Sequence, residues 1–325
     1  MKRFLLIILS FSLIAAALSG CSGFERPQAA DDKISIIATI FPHYDWLRQI
    51  IGDENMDRFD LSFLIGKGID LHNYSPSVSD MISIKTSDVF IYVGGHSDGW
   101  VADVLKSADA NPDIIAVNLI DLLGDDILVD YDHDHEECDE EHEEDALVTD
   151  EHVWLSLRNA QTVCAAFAEL LSELDQDNAD SYRDNLAVYV AQLSALDAEY
   201  KMVADAASVK TMVFASRFPF RYMVDDYGLS YYAAFSGCSA ETEASFVTII
   251  SLANRLNQLD LGVVFVTECS DQAIARRVIS ETDDGNQEIM VLDGLQSITE
   301  SEAQSGVTYL SIMESNLEVL RRALN

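Results

Sequence analysis

The sequence predicts an α/β protein of two lobes, each with a mainly parallel sheet flanked by helices, and a long rigid helix that joins the lobes. Three observations predict this fold. Strand-like apolar runs alternate with helical patterns over residues 34–120, the stretch 159–206 has helical spacing without glycine or proline, and a second alternating series follows it. Alternation of strands and helices is typical of parallel sheets that are covered on both faces.

The first series predicts four strands separated by helices. Short, apolar, β-branched runs of this kind are typical of buried strands, and spacing of three to four residues between apolar positions is typical of helices. The predicted strands are ISIIATI (34–40), FDLSFLI (59–65), VFIYVGG (89–95) and DIIAVNLI (113–120), and the predicted helices are YDWLRQII (44–51), 78–85 and GWVADVLKSA (99–108).

The helical stretch divides into one helix over roughly 159–174 and a longer one over 178–206. The longer helix would be about 40 Å long at 1.5 Å per residue, which suits a connection between two lobes. The second series then predicts strands at TMVFAS (211–216), SYYAAF (230–235), LGVVFVTE (261–268) and IMVLDG (289–294), and helices at 220–228, 243–258, 271–282 and 306–323.

The N-terminus has the layout of a secretory signal, because two basic residues precede an apolar stretch that ends in small residues. Residues 1–20 are expected to be removed, and Leu18-Ser19-Gly20-Cys21 resembles the lipobox of bacterial lipoproteins, which implies lipidation of Cys21. Residues 21–33 are polar and suit a tether. The expected domains are an N-terminal lobe over 34–176, the linking helix over 177–207 and a C-terminal lobe over 208–325. The protein is expected outside the cytoplasm, lipid-anchored to the bacterial cell membrane.

The net charge and an acidic, histidine-rich run indicate which partners the protein can bind. The chain carries a formal net charge of −36, which should repel nucleic acid and attract cations. The loop 130–150 contains the run DHDHEECDEEHEED (132–145), which no core could bury, since each unpaired charge would cost several kcal/mol. A plain solvated linker needs no histidine. The run is therefore interpreted as an auxiliary metal-collecting loop whose ligands are His133, His135, Cys138 and His142.

Three further ligand candidates lie at strand or loop ends, where open α/β sheets bind their ligands. His72 follows the second strand, His152 follows the acidic loop, and Asp293 follows the strand IMVL. His72 and His152 are 80 positions apart, so spacing alone does not establish a common site. His43 and His96 also lie at predicted strand ends and are interpreted as polar loop residues.

Several long segments resemble the solute-binding lipoproteins of zinc and manganese ABC importers, the cluster A-I metal receptors. The resemblance runs from about residue 34 to the C-terminus. It includes a D-x-H-x-Y-x-P signature, a D-x-H-V-W-L signature and an acidic, histidine-rich insertion just before the latter. The matching segments are IDLHNYSPSVSDM, DVFIYVGGHSDGW, DEHVWLSLRNA, RFPFRYMVDDYGLSYYAAFSGCSAETEAS and MVLDGL. The resemblance implies two lobes linked by a rigid helix, with one metal ion bound in the cleft.

Carried over by position, the family's ligands fall on His72, His152 and Asp293, but the third falls on Arg217. A guanidinium has no lone pair to offer a cation, so Arg217 cannot be a ligand. Cys238 is the favoured replacement, because its thiolate would complete a tetrahedral set that suits zinc better than manganese. The alternatives are an oxygen from Glu241 or Glu243, or a Cys238–Cys269 disulfide with water as the fourth ligand.

The expected function is an extracytoplasmic receptor that captures Zn²⁺ and delivers it to an ABC permease and its ATPase. Expected partners are that permease, the ATPase and the membrane through a lipid anchor, with no nucleic acid, and the receptor itself is expected to be a monomer. A manganese (Mn²⁺) receptor and a surface metal buffer or adhesin remain alternatives. An enzyme is not expected: a zinc hydrolase needs an open coordination position and a general base, and no H-E-x-x-H motif is present.

Overall fold

The computed structural model describes residues 33–66, 69–107, 110–130, 148–237 and 243–325. Within these ranges the chain forms two four-stranded parallel sheets and one two-stranded antiparallel ribbon. Among the described residues, no helix combines the length and apolar character needed to cross a membrane.

The first sheet has the strand order β2-β1-β3-β4, and its helices connect successive strands. The predicted alternation is confirmed, although the strands are shorter than the apolar runs. Its elements are β1 (Ile34–Ala38), α1 (Phe41–Ile51), β2 (Phe59–Phe63), α2 (Val78–Thr86), β3 (Val89–Tyr92), α3 (Val101–Leu105), β4 (Ile115–Asn118) and α4 (Leu119–Leu123).

A short ribbon follows the first sheet. Strands β5 (Val129–Asp130) and β6 (Val148–Thr149) pair antiparallel, with Val129 opposite Thr149. Residues 131–147, which contain the acidic run, lie between these strands and outside the described residues. The ribbon therefore fixes the two chain positions that flank the acidic run, and it ends immediately before Asp150.

Two helices connect the lobes, and the longer one is the predicted joining helix. Helix α5 covers Leu157–Leu174 and α6 covers Ala179–Ala206. Ser156 begins α5, because its hydroxyl accepts hydrogen bonds from the backbone N–H groups of Arg158 and Asn159. The apolar positions of α5 recur every three or four residues and are buried, and Cys164 is fully buried among them.

The second sheet repeats the parallel architecture with the strand order β10-β9-β7-β8. Its strands begin and end close to the predicted limits, and one short helix, α10, was not predicted. The elements are β7 (Thr211–Phe218), α7 (Arg221–Tyr227), β8 (Ser230–Ser236), α8 (Phe246–Leu259), β9 (Val263–Thr267), α9 (Ala273–Ser280), β10 (Glu288–Leu292), α10 (Glu300–Gln304) and α11 (Tyr309–Ala323).

The two lobes share one hydrophobic core, because α11 returns to the first lobe. The backbone N–H of Tyr309 donates to a carboxylate oxygen of Asp45 at 2.8 Å, and the Tyr309 ring packs edge-on against Trp46. One turn further along α11, the hydroxyl of Tyr200 in α6 donates to the carbonyl of Met313 at 2.6 Å. Helix α11 thus contacts both the joining helix α6 and helix α1.

His43 corrects one interpretation of the sequence. It is not a polar loop residue but a fully buried residue of α1, and neither ring nitrogen has a hydrogen-bond partner among the described residues. Burial lowers the pKa of His43 to about 3. The folded chain therefore keeps this ring neutral, whereas the unfolded chain protonates it below about pH 6.5.

Replacing His43 with leucine should stabilise the metal-free protein by about 1–3 kcal/mol at pH 7, because it removes buried polar atoms that lack partners. Since the folded pKa lies below the unfolded pKa, the wild type should lose stability from this group as the pH falls from about 6.5 towards 3. That loss is roughly 2 kcal/mol at pH 5. Urea unfolding at pH 7 and pH 5 should show the gap between His43→Leu and wild type widening. The same substitution at the exposed His96 is the control, and a gap that does not change with pH would contradict the prediction.

Candidate metal site

His72 lies in the loop that follows β2, within a short 3-10 turn (Leu71–Asn73). Asp70 precedes this turn, and its Oδ1 accepts a hydrogen bond from the backbone N–H of His72 at 2.9 Å. The imidazole is largely buried, and its Nδ1 lies 2.8 Å from the Ser97 hydroxyl, in the loop after β3. The carboxyl ends of β2 and β3, which pair with opposite edges of β1, thus supply the histidine and its hydrogen-bond partner.

His152 lies directly after the ribbon and before a second 3-10 turn (Val153–Leu155). Oδ1 of Asp150 accepts hydrogen bonds from the backbone N–H of His152 at 2.8 Å and from its ring Nδ1 at 2.9 Å. Both histidines therefore stand in the same local motif, D-x-H, in which the aspartate binds the backbone N–H two residues later. His152 is fully buried.

The rings of His72 and His152 lie in contact, although 80 positions separate them in the sequence. Nε2 of His72 lies 3.0 Å from Nε2 of His152. Burial and the neighbouring His152 lower the pKa of His72 to about 3, so His72 is neutral at pH 7. When each ring carries its proton on Nδ1, both Nε2 atoms present a lone pair, and one cation between them can accept both.

Hydrogen bonds with residues of the second lobe hold the segment that carries His152 in place. The hydroxyl of Tyr222 in α7 donates to the carbonyl of Asp150 at 2.9 Å, and the indole N–H of Trp154 donates to the carbonyl of Gly294 at 2.9 Å. The carbonyl of Trp154 accepts from the hydroxyl of Tyr309 at 2.7 Å. His152 is therefore fixed at the boundary between the lobes.

Asp293 lies at the carboxyl end of β10, and a second carboxylate lies beside it. Oδ1 of Asp293 accepts from the backbone N–H of Leu295 at 2.8 Å. Glu268, which directly follows β9, accepts from the backbone N–H groups of Gly294 at 2.8 Å and Gln296 at 3.3 Å. Burial and the charge of Asp293 raise the pKa of Glu268 to about 7, and burial raises the pKa of Asp293. Sequence reasoning missed Glu268, although its position after an apolar strand was a usable signal.

Arg217 occupies the position where the resemblance expects a ligand, and the structure gives it a different partner. The pairing of β7 with β8 shifts register between Phe214 and Arg217, a bulge that re-aims the side chain at the strand end. The guanidinium forms an ion pair with Oδ2 of Asp70, the residue that caps His72. Arg217 also lines a cavity of about 300 Å³ at the carboxyl ends of β7 and β9, together with Ala215, Ser216, Phe235, Thr267, Cys269, Ser270, Asp271 and Ile274.

Most of the remaining candidates lie outside the described residues. Cys238, Glu241, Cys21 and the loop residues His133, His135, Cys138 and His142 lie outside the described residues. Glu243 is exposed. Cys269 is a free, exposed cysteine. In the part of the chain that the structure describes, no three His, Cys, Asp or Glu side chains form a group that could hold a metal ion.

The chain thus combines two parallel α/β lobes joined by a long helix with a histidine pair beside the carboxyl end of β2, where open α/β sheets bind their ligands. The chain belongs to the family described as "Zinc-uptake complex component A periplasmic", whose model matches residues 36–323. This assignment confirms the resemblance stated from the sequence.

Individual relatives agree with the family assignment. The zinc-binding lipoprotein AdcA of Streptococcus pneumoniae is 30% identical over 99% of this chain, which spans 61% of AdcA's own length. The high-affinity zinc uptake system protein ZnuA of Bacillus subtilis is 27% identical over 98% of this chain and 97% of its own length. The crystal structure of the Zn(II)-bound ZnuA-like domain of S. pneumoniae AdcA superposes with a TM-score of 0.70 at 27% identity, covering 90% of this chain and 99% of that domain.

Proposed function

We propose that this chain is an extracytoplasmic receptor that captures one zinc ion in the cleft between its lobes and delivers it to an ABC permease. One observation carries the proposal. The Nε2 atoms of His72 and His152 face each other at 3.0 Å, and each ring's Nδ1 lies within hydrogen-bond distance of an oxygen. A metal-binding imidazole commonly donates its other N–H to such an oxygen, which orients the ring.

The separation of the two nitrogen atoms fits zinc as the cargo. Two imidazole ligands of a tetrahedral zinc ion, each about 2.0–2.1 Å from the metal, lie about 3.3–3.4 Å apart. The observed 3.0 Å would have to widen by only a few tenths of an ångström. Charge supports a cation as well: Asp150, Glu151, Glu268 and Asp293 all lie against the histidines or the β10 loop, and the positive charge of Arg217 is paired with Asp70.

Asp293 is the proposed third ligand, from the second lobe. Cys238 is the preferred fourth ligand, with Glu241, Glu243 or a water molecule as alternatives. Two imidazoles and a thiolate favour zinc over the harder manganese ion, which prefers oxygen ligands. The names of the relatives, a zinc-binding lipoprotein and a zinc uptake protein, support the same choice.

The flanking segments complete the proposal. The acidic run 132–145 collects cations weakly near the cleft, because ordering a loop around a tight site costs conformational entropy that a preformed pair avoids. Cys21 carries the lipid that anchors the protein to the outer face of the cell membrane. The receptor acts as a monomer that binds and releases its cargo without catalysing a reaction.

Titration of the metal-free protein with zinc and with manganese tests the proposal. We expect one tight zinc equivalent, manganese binding at least 100-fold weaker, and additional weak zinc equivalents. A variant that lacks residues 132–145 should keep the tight equivalent and lose the weak ones. Equal affinity for manganese would contradict the choice of zinc, and loss of the tight equivalent in the deletion variant would contradict the assignment of the two sites.

A further inference from the structure

Glu151, the middle residue of the second D-x-H motif, is fully buried beside the first histidine. Its Oε1 accepts a hydrogen bond from the backbone N–H of Ser97 at 2.9 Å. Its Oε2 lies 3.8 Å from Nδ1 of His72 and has no hydrogen-bond partner among the described residues. A buried carboxylate with one free oxygen is costly unless a nearby positive group offsets it.

The backbone leaves room for this carboxylate. Gly95 has a φ of +76°, and a Cβ at that position would lie 2.5 Å from Oε1 of Glu151. Position 95 therefore requires glycine for two reasons: the backbone is left-handed, and a Cβ would clash with the Glu151 side chain. The loop after β3 thus contacts Glu151 through Gly95 and Ser97, and Ser97 in turn contacts His72.

The position of Glu151 bears on which nitrogen of His72 carries the proton. The Ser97 hydroxyl can either donate to Nδ1 or accept from it, so this contact alone does not select a tautomer. A negative charge 3.8 Å from Nδ1 favours the tautomer with N–H at Nδ1. That tautomer leaves the lone pair on Nε2, the atom that faces His152.

We propose that Glu151 is a positioning residue that holds His72 in its metal-competent tautomer, through its bond to Ser97 and its charge beside Nδ1. Residues 150–152 then orient both histidines: Asp150 orients His152 and Glu151 orients His72. This inference rests on the proposed function, since it assigns His72 as a ligand. It adds a residue that does not itself touch the cargo.

The test compares Glu151→Gln with Asp98→Asn. Glutamine keeps an acceptor for the Ser97 N–H but removes the charge and presents an amide N–H₂ towards Nδ1. Asp98 is a matched control, because it is a buried carboxylate of the same loop that accepts from the Gly94 N–H and has no hydrogen bond to Ser97 or His72. We expect zinc affinity to fall about 10- to 100-fold in Glu151→Gln, as for other outer partners of metal-binding histidines, and to change less than 3-fold in Asp98→Asn. Glu151→Asp, which keeps the charge, should restore part of the affinity.

The second measurement needs no metal. In the metal-free protein labelled with ¹⁵N-histidine, Glu151→Gln should increase the share of His72 that carries its proton on Nε2, with the His72 signal assigned from a His72→Ala spectrum. An unchanged tautomer share, or an equal loss of zinc affinity in Asp98→Asn, would overturn the inference. Failure of the proposed function would look different, because the tautomer would still respond to Glu151→Gln while His152→Ala left zinc binding intact.

Discussion

Replacing His152 with alanine should lower zinc affinity by about 100- to 1,000-fold. Structural zinc sites with four protein ligands gain about 10–16 kcal/mol, or roughly 3–4 kcal/mol per ligand, and 1.4 kcal/mol corresponds to a tenfold change in affinity. His152 faces Nε2 of His72 at 3.0 Å and is fully buried, so no nearby solvent-exposed side chain could take its place without rearrangement. Competition with a zinc chelator of known affinity measures the change.

His96→Ala is the matched control for this prediction. His96 lies one residue before Ser97 in the loop after β3, but it is exposed. Its removal should leave zinc affinity within about twofold of wild type, since it has no part in the histidine pair. An equal loss in both variants would indicate a nonspecific effect on the loop, and an unchanged affinity in His152→Ala would exclude the proposed site.

Replacing Arg217 with histidine should raise zinc affinity by about 10- to 100-fold. The change removes a cation beside the site and supplies an imidazole at the position where the resemblance expects a ligand. This increase in zinc affinity is smaller than a full additional ligand would give, because the substitution also leaves Oδ2 of Asp70 without its ion-pair partner. If Cys238 is the fourth ligand in the wild type, Cys238→Ser should lower affinity in the wild type but have little effect in the Arg217→His background, which a double-mutant cycle measures.

Arg58→His is the control for the substitution itself. Arg58 also forms an ion pair with a largely buried aspartate, Asp175, through Nε and Nη2, but it lies in the 3-10 turn before β2. The Arg58→His variant should therefore bind zinc with the affinity of the wild type. A weaker zinc affinity in Arg217→His would mean that the Asp70–Arg217 pair itself supports the site, and that the guanidinium is required there.

The fold was largely predictable, because the regular spacing of apolar residues indicates most of its strands and helices. The joining helix was expected over 178–206 and covers Ala179–Ala206, since a long amphipathic stretch without glycine or proline has few alternatives. The β5–β6 ribbon was not predicted, because two-residue strands leave no periodic signal. His43 was misplaced by its position after an apolar run, whereas its spacing to Trp46, Leu47 and Ile50 puts it on the buried face of α1.

The candidate site was predictable only in part. His72 and His152 are distant in sequence, and the resemblance rather than the pattern brought them together. The residues around them were missed, because Ser97 and Glu151 look like ordinary loop residues until the fold places them within 4 Å of His72. The repeated D-x-H motif was a signal for Asp70 and Asp150. No sequence pattern indicated that Arg217 would bind Asp70, since the two residues are 147 positions apart and only the fold brings them together.

The return of α11 to the first lobe constrains the order in which the chain can fold. Asp45 and Tyr309 are 264 positions apart, and the carbonyl of Leu324 accepts hydrogen bonds from the backbone N–H groups of Ser208 and Val209. Helix α1 therefore cannot complete its packing until the chain around Tyr309 has emerged. Contacts this distant in sequence slow folding, because the whole intervening chain must first be closed into a loop. Removal of residues 311–325 should therefore destabilise the packing of the first lobe as well as that of the second.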